Sequence, residues 1–554
     1  LSRNYQIMYV GMFLFLSLIA AFPFFTNDSL HFGHDLGVHL LRIEGIKEAL
    51  QDNKLLADIS TVYLQGFGYP MDLFYPNLML YIPAIARVLG FSMIHSYKIF
   101  MFITVFFTFI SMFYSVLKIS KHQSIAFFAS VFYTMSAYRM IDIYIRAAVG
   151  EIVVLVFIPL VLLGVYYVLY EDNKKWYILT IGFTGVLLSH ILTTLWTFGL
   201  LLLITLVSFQ KLMKEKQRIL SLIYAGIATF GLTAYFTLPM VEQYISSDLY
   251  IKHTSTFAAD ESALHWINLI KTSILNVHYP MNVGLVFLLL PFIRIFVKKK
   301  SSLIKTADWL TFMGIAFLLM STNLFPWGIA KGVLGNIQFP WRLLLYTTLF
   351  FSVSGSIYLY ELLKGRKDIL RIFYILIPLI MLLSNAPLFN YYLKDQKVLL
   401  KEDKEELNSL WIGAGKEYLP VNITLDDIRK RSKHKLTDND NVEIENYQKN
   451  GTEISFTYHT EQKQTIELPL IYYKGYHVYD TQNGEREELP IELGEKDFIS
   501  VTLQGDGKLT TEYERTFIQK CSSYLSLLTL ILALIFFFFR KRSCGYSLSA
   551  SENK

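Results

Sequence analysis

Apolar runs of about 17–20 residues recur along this 554-residue chain, each long enough to cross a hydrocarbon core about 30 Å thick. No soluble fold tolerates that many. They predict a polytopic α-helical membrane protein. Composition agrees: apolar residues make up 53% and charged residues 17%, against roughly 25% charged in an ordinary soluble domain. The basic residues behind a sequence pI near 8.8 sit in short clusters between apolar runs, so a nucleic-acid partner is excluded. The runs do not alternate polar and apolar, which excludes a porin-type barrel. Cys521 and Cys544 have no plausible partner, so neither a disulfide nor a four-cysteine zinc site is expected.

Twelve spans are predicted: Tyr5–Phe25, Ser96–Leu117, Ser124–Tyr138, Ile152–Tyr170, Trp176–Ser189, Ile191–Phe209, Ile219–Pro239, Val283–Val297, Trp309–Ser321, Trp341–Leu362, Leu370–Ala386 and Tyr524–Phe539. The first has a long apolar core without a small-x-small cleavage signal and reads as a retained span. Tyr75–Phe91 is also apolar but carries Pro76, Pro83 and Arg87. Laid in the interface, it leaves every basic loop on one side: Arg3, Lys118/Lys121, Lys174/Lys175, Lys211–Arg218, Lys298–Lys305, Lys364–Arg371 and Arg540–Arg542. The positive-inside rule makes that side cytoplasmic, with both termini there. Outside would lie a long first loop, 26–95, the turns 139–151 and 189–190, the loops 241–281 and 322–340, and a soluble region.

The domain reading is 1–386 for the transmembrane part, 387–516 for an extracytoplasmic domain, and 517–554 for the last helix and basic tail. Residues 387–516 hold 17 basic and 25 acidic side chains, net −8, which leaves +14 for the remainder. That asymmetry suits cytoplasmic loops facing anionic lipid. After a helical lead-in, Leu393–Leu410, strands are expected at Glu453–Tyr458, Thr465–Tyr473, Tyr476–Tyr479 and Phe498–Leu503, punctuated by Asn450-Gly451 and Asn483-Gly484. A small antiparallel β-sandwich is predicted.

The stretch most suggestive of chemistry follows the first span: Phe32-Gly-His-Asp-Leu-Gly-Val-His-Leu-Leu-Arg42. Asp35, His39 and Arg42 stand at i, i+4 and i+7, one face of a helix. A carboxylate, an imidazole and a guanidinium at one membrane surface can activate a hydroxyl and hold a phosphate. The plainer alternative makes Asp35 an N-terminal cap and lets Arg42 reach to headgroups. Gly66-Phe-Gly-Tyr-Pro-Met-Asp-Leu-Phe-Tyr-Pro76 continues the loop and adds Tyr69, Asp72 and Tyr75 as substrate-binding candidates, with His34. His31, His34 and His39 lack zinc-ligand spacing, so no metal ligands are assigned, and a divalent cation (Mg or Mn) on Asp35 with other acids stays open.

Arg139, Arg146 and Arg342 lie at external span edges, where an ionisable residue is a functional candidate and arginine suits bidentate phosphate contact. Headgroup anchoring is the alternative for each, and an Arg146–Glu151 ion pair is another. Glu151 and His190 complete the candidates; His190 equally suits a helix cap.

The ordered motifs His34-Asp35-x3-His39-x2-Arg42, Gly66-x-Gly68-Tyr-Pro70, Phe74-Tyr-Pro76, Tyr144-x-Arg146-x4-Glu151, Ser189-His190, Phe339-Pro-Trp-Arg342, Glu417-Tyr-Leu-Pro420 and Tyr472-Tyr-x-Gly-Tyr476 resemble the YfhO-like bacterial membrane proteins. Some of these are labelled 6-pyruvoyl-tetrahydropterin synthase-related, a label the residues here do not support. More broadly, the layout resembles the GT-C class of membrane glycosyltransferases. The resemblance implies a GT-C-like fold in the bacterial plasma membrane and transfer of a sugar from a polyprenyl-phosphate donor to an extracytoplasmic glycan or teichoic-acid acceptor. The donor's synthase and flippase would be possible partners. By position, the first-loop carboxylate, Asp35, is the implied catalytic group, although the usual adjacent acidic pair is missing. The expected mechanism is an inverting displacement in which Asp35 orients or deprotonates the acceptor hydroxyl, His39 positions Asp35 or contacts phosphate, and Arg42 and Arg146 neutralise the lipid phosphate with Arg139 and Arg342 in reserve. A lipid-linked saccharide flippase without chemistry is the competing class. It predicts inverted repeats and midplane charges, which the sequence does not display.

Overall fold

The protein is described from a computed structural model covering residues 3–253, 258–279, 281–334, 337–401, 407–431, 441–494 and 496–551. Two compact units emerge: Leu1–Lys54 with Asn77–Arg218 and Thr254–Gly415, and Leu55–Pro76 with Ile219–His253 and Lys416–Lys554. The segment between the first two long helices is therefore divided: Leu55–Pro76 belongs to the second unit and its flanks to the first.

Among the described residues, eight helices are long and apolar enough to cross a membrane: Asn4–Phe25, Met93–Ser120, Val149–Tyr170, Lys216–Ser246, Ser302–Met320, Pro340–Leu363, Lys367–Lys394 and Phe517–Phe539. The other four expected spans correspond to shorter helices, Gln123–Thr134, Tyr177–Leu187, Ile191–Val207 and Leu285–Leu289 with its continuation to Phe296. Twelve residues of α-helix rise only about 18 Å, so Gln123–Thr134 cannot cross alone. It is followed, after a break at Ser136, by Ala137–Ile141, and the pair together extends about 28 Å. Within the expected interfacial segment, Tyr81–Val88 is an eight-residue helix, far short of a bilayer.

In the first unit, glycines let neighbouring helices close up. A Cβ on Gly182 would lie 2.6 Å from the Val161 backbone nitrogen, so Tyr177–Leu187 packs backbone to backbone against Val149–Tyr170. Tyr144 Oη donates to the Ala20 carbonyl at 2.6 Å and Lys98 Nζ donates to the Asn27 carbonyl. These bonds draw the end of the first helix, the start of Met93–Ser120 and the turn before Val149 together at one end of the bundle. Strands β1 (Leu30–His31) and β2 (Val398–Leu400) pair antiparallel at that end. The expected helical lead-in over Leu393–Leu410 is thus corrected: the helix stops at Lys394 and the chain extends, its amide and carbonyl groups bonding those of Leu30–His31. Residues 402–406 of that lead-in lie outside the described residues, as do the side chains of Arg540–Arg542.

The second unit carries a six-stranded antiparallel sheet made of β3 (Glu443–Asn450), β4 (Glu453–Ile471), β5 (Tyr476–Gln482), β6 (Glu485–Leu489), β7 (Glu492–Leu493) and β8 (Phe498–Tyr513). The order is β3-β4-β8-β5-β6, with β7 also on β8. One sheet replaces the expected two-sheet sandwich. The reason lies in β4, which joins two expected strands into 19 residues and pairs with β8 along its length, with register shifts at Thr460/Gln464 and Glu467/Ile471. Hairpins form at both Asn-Gly signals, although at the first Asn450 ends β3 and the turn is Gly451-Thr452. Asn483 and Gly484 take φ of 52° and 86°, the left-handed pair that a two-residue hairpin requires. Ile454, Phe456, Tyr458 and Thr460 are buried in turn along β4, the period-2 pattern of a one-sided sheet.

Candidate functional site

The polypeptide reaching Asp35 is held by its backbone. His34 N donates to the Ile145 carbonyl at 3.3 Å and Asp35 N donates to the Arg146 carbonyl at 2.8 Å. Gly33 permits this approach, since a Cβ there would lie 2.6 Å from Ala147 Cβ. Asp35 occupies the N-cap position of helix Leu36–Gln51, yet its side chain accepts no bond from that helix. The capping alternative therefore fails. The carboxyl instead lies in the field of charges from three other segments, Arg146, Glu151 and Arg342, and of His34 next to it in the chain. On the next turn, Arg42 Nη1 meets His39 Nδ1 at 3.2 Å, both side chains buried.

The opposing wall is a turn the sequence pattern did not reveal. Asp142–Arg146 winds as a π-helix, and Ala147 leaves it at φ 52°, a left-handed conformation uncommon outside glycine. The wide turn aims Arg146 back at its own segment. Its Nη1 donates to Asp142 Oδ1 at 2.5 Å and its Nη2 to Glu151 Oε1 at 2.8 Å, while the Trp341 ring stacks 4.3 Å from the guanidinium. Glu151 is shared further: Arg342 Nε donates to Oε1 at 3.2 Å and Tyr138 Oη to Oε2 at 2.7 Å. Arg342 is completed by Gln338 Oε1 at 3.0 Å and the Ile337 carbonyl at 3.1 Å. His190 accepts the Thr193 backbone N–H as the cap of Ile191–Val207 and also feels Glu151, Arg342, Arg146 and Arg42. Of the two readings offered for His190, the cap is the one this geometry forms.

Burial sets the proton states. It raises the Asp35 carboxyl above its ordinary range, with Arg146 pulling the other way. It pushes His39 well down, reinforced by the cations Arg42 and Arg146 and by His190, and His190 down to about 3 against the pull of Glu151. Both imidazoles are therefore neutral near pH 7. A guanidinium has only donors, so the His39 Nδ1 facing Arg42 accepts and its proton sits on Nε2. The ring, bonded to Arg42 and neutral, is unsuited to serve as a base.

Eight residues singled out in the sequence thus meet at one end of the first unit: His34, Asp35, His39, Arg42, Arg146, Glu151, His190 and Arg342. Arg139 goes elsewhere. Its Nη1 and Nη2 donate to the carbonyls of Ile152 and Thr104 at 3.1 and 3.3 Å, tying two helices together from a fully buried position. Tyr69, Asp72 and Tyr75 belong to the second unit. There Tyr69 Oη accepts the Tyr418 amide at 3.1 Å, and Phe74 stacks on Tyr418 at 4.5 Å. Three contributors were missed: Asp142, whose i, i+4 spacing to Arg146 was the available signal, Tyr138 and Trp341.

Among the described residues, no group of three or more His, Cys, Asp or Glu side chains is placed to hold a metal ion. The oxygens of Glu151 face guanidiniums and a phenol instead, so the Arg146–Glu151 ion pair offered as an alternative does form, within a larger network that takes in Arg342 and Tyr138.

No family model matches the chain. A protein of Lactococcus lactis subsp. cremoris (strain MG1363), named "Uncharacterized protein", is 24% identical over 593 aligned residues, covering 96% of this chain and 95% of that protein. The similarity runs end to end, membrane helices and sheet region alike, and its printed name carries no activity.

Proposed function

We propose that this chain is a GT-C-type glycosyltransferase of the bacterial plasma membrane, moving a sugar from a polyprenyl-phosphate donor to an extracytoplasmic glycan or teichoic-acid acceptor. One observation carries the reading. A carboxyl with no helix-capping role is suspended from the Arg146 backbone, within the electrostatic reach of Arg146 and Arg342. The displacement needs a base and phosphate-binding cations about one reacting carbon, and Asp35 with Arg146 and Arg342 would supply both kinds of group.

In the proposed step, the acceptor hydroxyl oxygen attacks the anomeric carbon while Asp35 takes the hydroxyl proton. The bond from that carbon to the phosphate oxygen breaks, and its electron pair leaves with the polyprenyl phosphate. Arg42, Arg146 and Arg342 stabilise the growing charge, where preorganised donors contribute most. The neutral His39 holds the Arg42 guanidinium in position through Nδ1. Inversion follows from the single displacement.

The twelve-crossing topology belongs to this proposal. The positive-inside rule keeps Lys174/Lys175 and Lys298–Lys305 cytoplasmic only if the segments containing Gln123–Thr134 and Leu285–Phe296 cross. The Asp35–Arg146 backbone bond supports the first of these, because the chain must return to the same end of the bundle between Ser120 and Arg146. The site and the acidic sheet region are then extracytoplasmic, and both termini cytoplasmic.

The test uses purified full-length protein in vesicles, a polyprenyl-phosphate-sugar donor and candidate acceptors. Wild type transfers label. Asp35→Asn is expected to lose about 10²- to 10⁴-fold, the usual contribution of a positioned base. Comparable transfer by Asp35→Asn, with the protein folded, would remove the assigned base.

A further inference from the structure

Two carboxylates hold Arg146, and they differ in what else holds them. Glu151 also receives Arg342 Nε at 3.2 Å and Tyr138 Oη at 2.7 Å. Asp142 is fully buried. Its Oδ1 receives Arg146 Nη1 at 2.5 Å, and among the described residues its buried Oδ2 meets no donor. The charged and titratable groups facing Asp142 are Arg146 from its own turn, Glu151 from the helix that follows, and Arg139 and Tyr138 from the helix before. The two Nη atoms of Arg139 are committed to the carbonyls of Ile152 and Thr104. An anion arriving at Arg146 therefore competes unequally with its two acids. Glu151 keeps a second guanidinium and a phenol, whereas Asp142 loses the donor on Oδ1. A buried carboxylate left without a donor takes up a proton rather than stay charged.

We propose that Asp142 is the positioning residue that releases Arg146 to the donor's phosphodiester, taking one proton from solvent as it does so. Donor binding and protonation of Asp142 are then a single coupled event. The inference rests on the phosphate-site reading above and adds to it the identity of the acid that yields. Burial already raises the Asp142 carboxyl above the usual range, with Arg146 opposing, so little further charge is needed to tip it. Glu151 stays ionised and keeps Arg342 in place.

The test is binding of a methyl prenyl phosphodiester, a monoanion with no titration of its own near neutrality, to the full-length protein in nanodiscs. The expected wild-type Kd is flat at low pH and weakens by about tenfold per unit above the Asp142 titration, the slope of one linked proton. Calorimetry in two buffers of different ionisation enthalpy should count about one proton taken up per probe on that limb and none below it. Asp142→Asn should bind as tightly as wild type does at low pH, with no slope, and Asp142→Glu should restore the slope. Wild-type binding that ignores pH overturns the proposal and leaves the phosphate site standing, as does an Asp142→Asn variant that keeps the wild-type slope. Absence of binding by folded protein at every pH overturns both. The proton count on wild type stands by itself if a variant fails to fold.

Discussion

Two parts of the segment between the first two long helices make an instructive pair. Residues 33–42 and 66–75 are both dense in side chains capable of chemistry, and both follow the first membrane helix. The first part brings Asp35, His39 and Arg42 to Arg146, Glu151, His190 and Arg342. The second part falls in the other compact unit, where its rings pack: Phe67 against Phe498 at 5.5 Å and Phe74 against Tyr418 at 4.5 Å. Charge with opposite charge waiting elsewhere in the chain marks a candidate site. Aromatic residues broken by glycine and proline mark a packed loop.

That contrast yields a graded set of expected outcomes. Asp35→Asn should carry the largest effect, about 10²- to 10⁴-fold on transfer with an unchanged unfolding midpoint, because its side chain caps nothing. Gly33→Val should lower transfer by up to about 10²-fold, the order reached when a catalytic group is displaced by about 1 Å, since the added side chain meets Ala147. Glu151→Ala should cost about 3–5 kcal/mol of stability, the usual loss when one partner of a buried ion network is removed, read by thermal unfolding. The pH profile should show an acid limb above about 4, the ordinary carboxyl range. Burial raises Asp35, so below that limb the carboxyl is protonated and accepts no proton, and transfer falls as pH falls. His39→Asn should leave the limb in place. In the second part, Tyr69→Phe should cost about 1 kcal/mol for the bond to the Tyr418 amide and leave transfer unchanged. A Tyr69→Phe loss as large as that of Asp35→Asn would erase the distinction between the two parts.

Much of this architecture was legible in the chain. Apolar length fixed the membrane class, the Asn-Gly signals marked two hairpins, and the spacing of Asp35, His39 and Arg42 matched a helix that Asp35 precedes and the other two occupy. What escaped was geometry set by distant partners. The π-turn at Asp142–Arg146 has no local signature, so Asp142 was passed over and Arg139 was grouped with arginines that it does not join. Val398–Leu400 looked helical because its partner, Leu30–His31, lies more than 360 residues earlier. The sheet was expected as two layers because a break in alternation near Thr460 resembled a strand end, whereas the ladder with β8 carries the strand through it. Helix ends shifted where Ser136 interrupts an apolar run, since hydropathy does not register a capped break.

The most direct measurement is a structure of the full-length protein with a non-hydrolysable phosphonate analogue of the polyprenyl-phosphate-sugar donor. The account predicts phosphonate oxygens hydrogen-bonded to Arg42, Arg146 or Arg342, with the anomeric carbon facing Asp35 on its other side. A phosphonate bound away from those guanidiniums, or a sugar turned from Asp35, would contradict it.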